Sequence, residues 1–316
     1  MKMFNLLAGL TLAALSACCK TTAQNESTSS SQQYITVLGI AQDAGYPQIN
    51  NPQEYSSIEN GLTKKKMVVS LGLVDKSTNN SWLFEATPDM PQQMDRLSQL
   101  ANDGSTFIDG IFLTHAHIGH YTGLMYLGRE SMNAEGTIVY AMPRMKSFLE
   151  TNQPWKQLVD LENIRIRQLV NESAVKISPN ISVIPILVPH RDEFSETVGY
   201  KIIGSKKSLL FIPDIDKWHL WNKSIIKEVK KVDYALIDAT FYEEGEIPRP
   251  MSEIPHPFIE ETVDLFNGQP EEVKSKIYFI HFNHSNPAIH KDSPARRKLN
   301  PLGYNFADEG MILPLD

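Results

Sequence analysis

Short apolar runs recur along most of the chain, with polar or amphipathic stretches between them. An apolar run of about four to eight residues bounded by turn residues is typical of a buried strand, whereas apolar residues about three or four positions apart are typical of a helix. Strands are predicted from Tyr34 onward and at 67–74, 82–86, 108–113, 137–141, 181–188, 208–213, 234–237 and 277–281. Helices are predicted at 90–101, 121–132, 143–150, 217–229 and 258–266. This mixture predicts one α/β domain of two sheets covered by helices.

The N-terminal segment differs in character from the rest of the chain. Lys2 precedes an apolar stretch at 6–15, and small residues follow, as in a secretory signal peptide. The sequence LSAC at 15–18 is similar to a bacterial lipobox, which implies that Cys18 carries a lipid. An ordinary secretory signal or a short membrane anchor is the alternative, although the apolar stretch is short for a membrane span.

The composition changes again after the apolar stretch. Residues 18–33 are rich in Ser, Thr and Gln and predict a flexible tether. We therefore expect a lipoprotein signal peptide at 1–17, a disordered tether at 18–33 and a folded domain at 34–316. The expected location is the bacterial cell envelope, on the periplasmic side or at the outer membrane, with membrane contact through the lipid anchor only.

Overall composition restricts the class of partner. Hydrophobic residues make up 41% of the chain and charged residues 21%, as in an ordinary globular protein. The formal net charge is -7, and no basic run is longer than that at 64–66, so nucleic-acid binding is not expected. A small-molecule substrate is the better expectation. Both cysteines, Cys18 and Cys19, lie in the N-terminal segment, so the folded domain has no disulfide and no Cys ligand.

The segment THAHIGHYTGL at 114–124 carries the strongest chemical signal. Its three histidines, His115, His117 and His120, directly follow a predicted strand, and imidazole is the commonest protein ligand for transition metals. Residues two apart on an extended segment point the same way, so His115 and His117 can contact one ion while His120 approaches from beyond the turn. Burying three imidazoles so close together would be costly without a shared cation.

Other candidate ligands stand where predicted strands end. They are His190, Asp214, Asp238 and His281, with His284 close behind. Two further histidines, His219 and His290, lack such a context and are interpreted as structural residues. A loop after the first strand holds Asp43, Gly45 and Gln48, and the sequence does not decide between a place near the site and a plain turn.

The segment HAHIGH resembles the H-x-H-x-[DN]-H motif of the metallo-β-lactamase superfamily, with Gly119 in place of the usual Asp. The resemblance implies an αββα sandwich of two mixed sheets flanked by helices. It also implies that the first metal is held by His115, His117 and His190. We expect this ion to be Zn²⁺, with Mn²⁺ and Fe²⁺ as alternatives.

The same resemblance implies a second metal. Its ligands would be His120, His281 and the bridging Asp214, with His284 as a further candidate. Because Gly119 supplies no ligand, we expect this second site to be weak or absent. On this interpretation, Gly119→Asp would raise the amount of bound metal.

A finer resemblance covers almost the whole chain after the tether. Four segments carry it: VLGIAQDAGYPQIN at 37–50, WLFEATPDMPQQM at 82–94, HFNHSNPAIH at 281–290 and GYNFADEGMILPL at 303–315. They resemble, in order, conserved segments of the pyrroloquinoline-quinone (PQQ) biosynthesis protein B (PqqB) family. That family typically has D-A-Q-I-D-H where this chain has HAHIGH, so this chain restores the first two histidines and loses the Asp.

The segment IDATFYEEGEIPRPMSEIPHPFIEE at 237–261 resembles part of tRNase Z and related phosphodiesterases. There an acidic residue orients a histidine that helps proton transfer to the leaving group, and the matching positions are Asp238 and His256. The alternative is that Asp238 caps a loop and His256 is exposed.

Together these features predict a metal-dependent hydrolase of a small ester, plausibly a phosphodiester or cyclic ester. Zn²⁺ held by three imidazoles lowers the pKa of bound water to about 7 and so supplies a nucleophile at neutral pH. Asp214 would bridge a second ion or accept the water proton, and His256, held by Asp238, would protonate the leaving group. The alternatives are a PqqB-like metal-dependent oxygenase related to PQQ biosynthesis, acting on a tyrosine-derived substrate, and a non-catalytic binding lipoprotein.

Overall fold

Two mixed sheets of seven strands each form the centre of the molecule. The computed structural model describes residues 31–101, 107–248 and 250–316, and these residues contain no helix with the length and apolarity needed to cross a membrane. Ser31–Asp316 form one compact unit. The expected signal peptide, the lipidation site Cys18 and nearly all of the expected tether lie outside the described residues.

The first six strands of the chain lie in one sheet and the next seven in the other, and the last strand returns to the first sheet. They are β1 (Gln33–Gly39), β2 (Ser70–Asp75), β3 (Asn80–Phe84), β4 (Gly110–Phe112), β5 (Thr137–Ala141), β6 (Ile164–Gln168), β7 (Val175–Ser178), β8 (Ile181–Leu187), β9 (Val198–Ile203), β10 (Ser208–Ile212), β11 (Tyr234–Asp238), β12 (Ile277–Ile280), β13 (Asn305–Phe306) and β14 (Ile312–Pro314). The first sheet has the order β14-β1-β2-β3-β4-β5-β6 and the second has the order β13-β12-β11-β10-β9-β8-β7.

Each sheet is antiparallel on one side and parallel on the other. In the first sheet, β14, β1, β2 and β3 pair antiparallel, and β3 to β6 pair parallel. In the second sheet, β7 to β10 pair antiparallel, and β10 to β13 pair parallel. With helices on the outer faces, this architecture confirms the expected αββα sandwich.

Aromatic side chains fill the space between the sheets. Phe84 on β3 and Phe112 on β4 stack with their ring centroids 4.9 Å apart, and both meet Tyr200 of the opposite sheet edge to face at 5.5 Å. All three rings are buried, and each aromatic side chain of this size removes about 150–250 Å² from water. Strands covered on both faces appear as nearly continuous apolar runs, which explains why the hydrophobic pattern located most of them.

The helices lie before, between and after the strands. They are α1 (Pro52–Glu59), α2 (Met90–Ala101), α3 (Ile118–Tyr121), α4 (Pro143–Thr151), α5 (Trp155–Asp160), α6 (Ile225–Lys230), α7 (Ile259–Leu265), α8 (Glu271–Lys274) and α9 (Pro294–Leu299). A second apolar cluster forms between the first sheet and its helices, where Leu97, Leu149 and Leu158 are buried. The predictions at 90–101, 143–150 and 258–266 agree closely with α2, α4 and α7.

Two helix predictions are wrong. The stretch 121–132 contains only the end of α3 and a 3-10 segment, Thr122–Leu127. Gly123 explains the difference, because its N–H donates to the carbonyl of Ala86 at 2.8 Å and an added Cβ would lie 2.1 Å from the carbonyl oxygen of Thr87. This close approach holds the segment against the end of β3. The stretch 217–229 is divided into a 3-10 turn and α6, which begins after the capping residue Ser224.

Candidate metal centre

The candidate ligands meet at one edge of the sandwich, where strands of both sheets end. A first group comprises His115, His117, His190 and Asp214, whose ligand atoms all lie within 4.8 Å of one another. Nε2 of His115 is 3.4 Å from Oδ2 of Asp214, and Nε2 of His190 is 3.3 Å from its Oδ1. His115 follows β4, His190 follows β8 and Asp214 follows β10. The structure thus brings together the three histidines that the motif assigns to the first metal.

A second group shares one of these residues. It comprises Asp43, His120, Asp214 and His281, again with ligand atoms within 4.8 Å of one another. Oδ1 of Asp43 is 3.3 Å from Nε2 of His120 and 3.7 Å from Nε2 of His281. Oδ2 of Asp214 is 3.7 Å and 3.9 Å from the same two atoms. Asp214 therefore stands between the groups, in the position expected of a bridging carboxylate.

The expectation that the second group lacks a carboxylate besides Asp214 is wrong. Gly119 supplies no side chain, but Asp43 reaches the group from the loop after β1. The sequence had left this loop undecided between a plain turn and a place near the site. The two positions are 76 residues apart, so no local pattern connects them.

Buried polar atoms without a hydrogen-bond partner are concentrated in these groups. Within the described residues, six of the ten such side-chain atoms belong to His115, His120, His190, Asp214 and His281. An unpaired polar atom is costly to bury, and a cation that accepts several lone pairs removes this cost. The donor set of imidazoles and carboxylates therefore fits a divalent metal ion.

The hydrogen bonds of His115 determine which of its nitrogens is available. Oγ1 of Thr114 donates to Oε1 of buried Glu85 at 2.6 Å, so it can only accept from Nδ1 of His115 at 2.9 Å. Nε2 of His115 then carries the lone pair, and it points towards Asp214. A carboxylate that acts through a hydroxyl to fix an imidazole is a typical outer partner of a metal ligand.

His281 is fixed in the same way by a separate chain of hydrogen bonds. The backbone N–H and the hydroxyl of Thr240 both donate to Oδ1 of Asp238, at 2.9 Å and 2.7 Å. Oγ1 of Thr240 therefore accepts from Nδ1 of His281 at 2.8 Å, which leaves Nε2 free for the second group. His281 also has a positive φ of 69°, a conformation that is uncommon outside glycine and is often found at functional sites.

Acidic residues orient two further histidines. Nδ1 of His190 donates to Oδ1 of Asp216 at 3.1 Å, so its Nε2 faces Asp214. Nε2 of His117 lies 3.0 Å from Oε2 of Glu193. This contact leaves Nδ1 as the nitrogen of His117 that is available to a metal ion. Each of these contacts fixes the ring that it touches.

Burial sets the charge state of the first group. It lowers the pKa of His115 well below its usual value, and the neighbouring His120 lowers it further. Burial also lowers the pKa of His117. Both imidazoles are therefore neutral near pH 7, which is the state that binds a metal ion.

The second group favours positive charge at its centre. Burial opposes ionisation of Asp43, but contacts with His120 and His281 hold its pKa well below the usual value. Burial likewise opposes protonation of His120, but Glu85 and Asp43 outweigh it and hold the pKa of this histidine well above its usual value. The same carboxylates would stabilise a cation placed between them.

The histidine that the sequence paired with Asp238 belongs to a third candidate group, which comprises Asp214, Asp238, His256 and His281. Nδ1 of His256 is 2.9 Å from Oδ2 of Asp238 and 3.1 Å from Oδ1 of Asp214. Burial opposes its charge, but Asp238 and then Asp214 raise the pKa of His256 to about 10. His256 is buried rather than exposed, so the structure brings this pair together as the sequence interpretation required.

His284 does not join the ligands, contrary to the expectation of a further ligand. Its Nδ1 lies 2.8 Å from Oε1 of Glu54 on α1, and it belongs to none of the candidate metal groups within the described residues. Glu54 and His284 instead help to hold α1 against the domain.

A cavity of about 370 Å³ opens beside His256. Its wall combines apolar and polar side chains: Gln42, Arg191, Phe241, Ile247, Glu253, Ile254, Pro255, His256, Asn283 and His284. The amide of Asn283 donates to Oε1 of Gln42 at 2.8 Å, which fixes both side chains at the wall. A small molecule that occupies this cavity would contact His256 directly.

Sequence reasoning missed the residues that orient the candidate ligands through hydrogen bonds. Glu85, Thr114, Asp216 and Thr240 contain no metal-binding pattern, and their roles follow from contacts across the fold. One local signal was present, since Glu85 is a charged residue directly after an apolar strand. Its positive φ of 75° and complete burial mark it as a constrained position.

Comparison with known proteins agrees with this geometry. The Coenzyme PQQ synthesis protein B of Gluconobacter oxydans is 24% identical over 316 aligned residues, which cover 89% of this chain and 98% of that protein. The Klebsiella pneumoniae protein of the same name is 26% identical over 317 residues, with the same two coverages. The PqqB-like resemblance is thus confirmed over nearly the whole folded domain.

Solved structures show the same fold. Zn(2+)-bound PqqB from Methylobacterium extorquens has a TM-score of 0.71 at 20% identity, covering 89% of this chain and 100% of that one. A diphosphatase from the PhnP family has a TM-score of 0.60, also at 20% identity, covering 90% and 98%. A family model described as the beta-lactamase superfamily domain matches residues 80–282. With this match and a metal centre at the shared edge of its two sheets, the chain belongs to the metallo-β-lactamase superfamily.

Proposed function

We propose that this protein is a PqqB-like, metal-dependent enzyme that modifies a small anionic molecule. One observation carries the proposal: similarity to Coenzyme PQQ synthesis protein B extends over 89% of the chain. This chain itself brings together groups of imidazole and carboxylate side chains that could hold a metal ion. A non-catalytic binding protein that retained only the fold would not need several buried ligand atoms without hydrogen-bond partners. This argument disfavours the non-catalytic alternative.

The reaction class that this similarity favours is oxygen-dependent hydroxylation of a tyrosine-derived substrate. In such a reaction, dioxygen supplies the oxygen atom and an external reductant supplies electrons. Imidazole and carboxylate ligands suit Fe²⁺ as well as Zn²⁺. The residues of this chain would orient the substrate beside Asp214 and exclude bulk water, since the centre is buried.

The cavity supports the choice of a small anionic substrate. Phe241, Ile247 and Ile254 offer an apolar surface of the kind that packs against a ring or short chain. Arg191 offers the cationic group, and its guanidinium is 3.9 Å from Glu193, with a side chain that is 56% exposed. A guanidinium recognises carboxylate and phosphate groups through paired hydrogen bonds.

Hydrolysis of a small ester is the second candidate, and a specific observation favours it. Asp214 is common to the first and second ligand groups, which therefore lie next to each other. This is the arrangement of metal sites that activate water and stabilise a leaving group together. His256 holds a proton on Nδ1 against Asp238, and this leaves Nε2 to protonate a leaving oxygen from the cavity side. The fold is also that of a diphosphatase and of human tRNase Z, which has a TM-score of 0.56.

One experiment separates the two reactions. The purified protein is stripped of metal and reloaded with Zn²⁺, Mn²⁺ or, without air, Fe²⁺. Each form is then tested for oxygen uptake with tyrosine derivatives and a reductant, and for hydrolysis of bis(4-nitrophenyl) phosphate, a lactone and a β-lactam. Oxygen uptake that is coupled to product and requires Fe²⁺ supports the first reaction, and turnover of an ester with Zn²⁺ supports the second.

The matched control is His115→Ala, which removes a ligand of the first group. Activity that survives this change would come from a contaminant or from outside the metal centre. Absence of both activities in a fully metallated protein would contradict both reactions and leave binding as the remaining function.

We also propose that the enzyme acts at the cell envelope, held by a lipid on Cys18. The lipobox-like sequence at 15–18 supports this location. Expression of the full chain and of Cys18→Ser in bacteria, followed by membrane fractionation, tests it. Membrane association that is equal in both would contradict the anchor.

A further inference from the structure

We propose that Asp43 replaces, as a ligand of the second metal, the carboxylate that the superfamily motif places at position 119. Gly119 is then required because Asp43 fills the space that a side chain at 119 would need. This inference rests on the metal centre of the proposed function and adds a ligand that the motif does not contain. It also reverses the sequence-based expectation that Gly119 leaves the second site incomplete.

Steric contacts explain the exchange. A Cβ added to Gly119 would lie 2.4 Å from Cα of Asp43 and 2.8 Å from both its Cβ and its Cγ. The nearest of these atoms is backbone, so a rotation of the Asp43 side chain cannot relieve the overlap. A side chain at position 119 is therefore excluded for as long as the backbone at Asp43 keeps its present path.

Backbone conformation does not explain the glycine. Gly119 is the second residue of α3, and it is absent from the described glycines that have a positive φ. Other residues adopt helical dihedral angles readily. The reason for glycine at 119 is space, and Asp43 occupies that space.

The two oxygens of Asp43 have separate partners. Oδ2 accepts from the backbone N–H of Gly119 at 3.3 Å. Oδ1 lies 3.3 Å from Nε2 of His120 and 3.7 Å from Nε2 of His281. One oxygen thus fixes the carboxylate at α3, and the other is directed at the two histidines of the second group, where a ligand is needed.

The loop that carries Asp43 is anchored next to the second group. The backbone N–H of Gln42 donates to the carbonyl of Phe282 at 2.8 Å, directly after His281. Ala41 makes bridges to both Val68 and Phe282. A ligand on a loop held this firmly loses little freedom when it binds an ion.

The test measures metal content and does not depend on catalysis. Full-length protein and variants are loaded with Zn²⁺ and dialysed, and bound zinc is then measured by mass spectrometry. The wild type is expected to hold about two ions per chain and Asp43→Asn about one, because the amide lacks the charge that holds a cation. Glu54→Gln, on α1 after that loop and outside the ligand groups, is the control and is expected to keep both.

The exchange itself is tested by moving the carboxylate. Gly119→Asp alone is expected to lower the second-site content, because the new side chain collides with Asp43. The double variant Asp43→Gly with Gly119→Asp restores the carboxylate and removes the overlap with Cβ and Cγ of Asp43, but Cα of residue 43 stays within 2.4 Å of the new Cβ. It is therefore expected to bind more of the second ion than Gly119→Asp alone and less than the wild type. Circular dichroism and thermal unfolding confirm that each variant is folded.

Three results would overturn the inference: two ions in folded Asp43→Asn, a gain of metal in Gly119→Asp alone, or a single ion in the wild type. A wild type that binds no zinc at all would instead contradict the metal centre itself. Normal zinc content without any activity would contradict the proposed function and leave the role of Asp43 intact. The two failures are therefore distinguishable.

Discussion

The hydroxyl of Thr240 accepts a hydrogen bond from Nδ1 of His281 at 2.8 Å. The same hydroxyl donates to Oδ1 of Asp238 at 2.7 Å, so a single oxygen atom connects a buried carboxylate to a metal-binding imidazole. The direction of these two bonds determines that Nε2 of His281 is the nitrogen available to a metal. Residues of this kind commonly alter metal affinity although they never touch the ion.

Thr240→Ala is expected to weaken binding of the second ion by about 10–100-fold, because His281 loses the acceptor that fixes its ring. Thr240→Ser keeps the hydroxyl and is expected to bind the second ion nearly as the wild type does. Competition with a chromogenic zinc chelator measures both affinities. Equal affinities in the Ala and Ser variants would contradict this role of the hydroxyl.

Glu85→Gln is expected to lower metal affinity by a similar factor of about 10–100. The change removes a buried negative charge, and Oε1 of this carboxylate lies 3.3 Å from Nδ1 of His120 and accepts from Thr114. Asp75→Asn is the control, because Asp75 is equally buried but contacts Ser178 and Ser77, away from the metal centre. If both variants lost metal affinity to the same extent, general destabilisation would explain the effect.

Removal of metal is expected to lower the thermal unfolding temperature. An ion present at about 100 times its Kd stabilises the folded state by about 2.7 kcal/mol, which corresponds to roughly 5–10 °C in a domain of this size. Differential scanning calorimetry with and without a chelator measures the shift. His190→Ala should reduce it, and an unchanged temperature in the wild type would contradict a structural contribution from the ion.

Arg191→Gln is expected to raise KM for an anionic substrate by about 10-fold or more, with a smaller effect on kcat, since a charged hydrogen bond contributes about 1.5–3 kcal/mol. Arg191 lines the cavity and is not a candidate metal ligand, so zinc content should be unchanged. Arg144→Gln is the control, because Arg144 bonds the carbonyl of Asp192 outside the cavity. A fall in kcat with KM unchanged would contradict substrate recognition by Arg191.

The unfolding free energy at alkaline pH tests the packing of Tyr304 behind β12. Burial, and then Asp264, raise the pKa of Tyr304 from 10.0 to about 12, and the residue as a whole is 2% exposed. The unfolded chain therefore loses this proton first, so stability contributed by the protonated phenol is present below pH 10 and is lost as the pH rises towards 12. Tyr304→Phe should show a smaller loss of unfolding free energy between pH 9 and about 11. Equal losses in both proteins would contradict the buried, protonated phenol.

Local patterns predicted much of the fold and part of the site. The strands at 137–141 and 181–188 were located almost to the residue, because each is a short and largely apolar run. The segment at 121–132 was wrongly predicted to be helical, because the close contact of Gly123 with Ala86 and Thr87 is not visible in the sequence. The short strands β13 and β14 were missed because each has at most three residues.

The sequence by itself determined the histidines of the centre. The spacing of His115, His117 and His120 is local, and a strand followed by a turn converts that spacing directly into geometry. Candidate ligands at strand ends could also be expected to meet, because the carboxyl ends of neighbouring parallel strands lie at the same edge of a sheet.

Only the tertiary structure decided which carboxylates complete the centre. Asp43 lies 76 residues from Gly119 along the chain and enters the site because β1 ends beside His281. Glu85 and Thr240 orient their histidines from other strands, through contacts that no short motif encodes. Ligand identity is local because it depends on residue type and spacing. Ligand completeness is global because it depends on which distant backbone segments pass so close to each other that one of them has no room for a side chain.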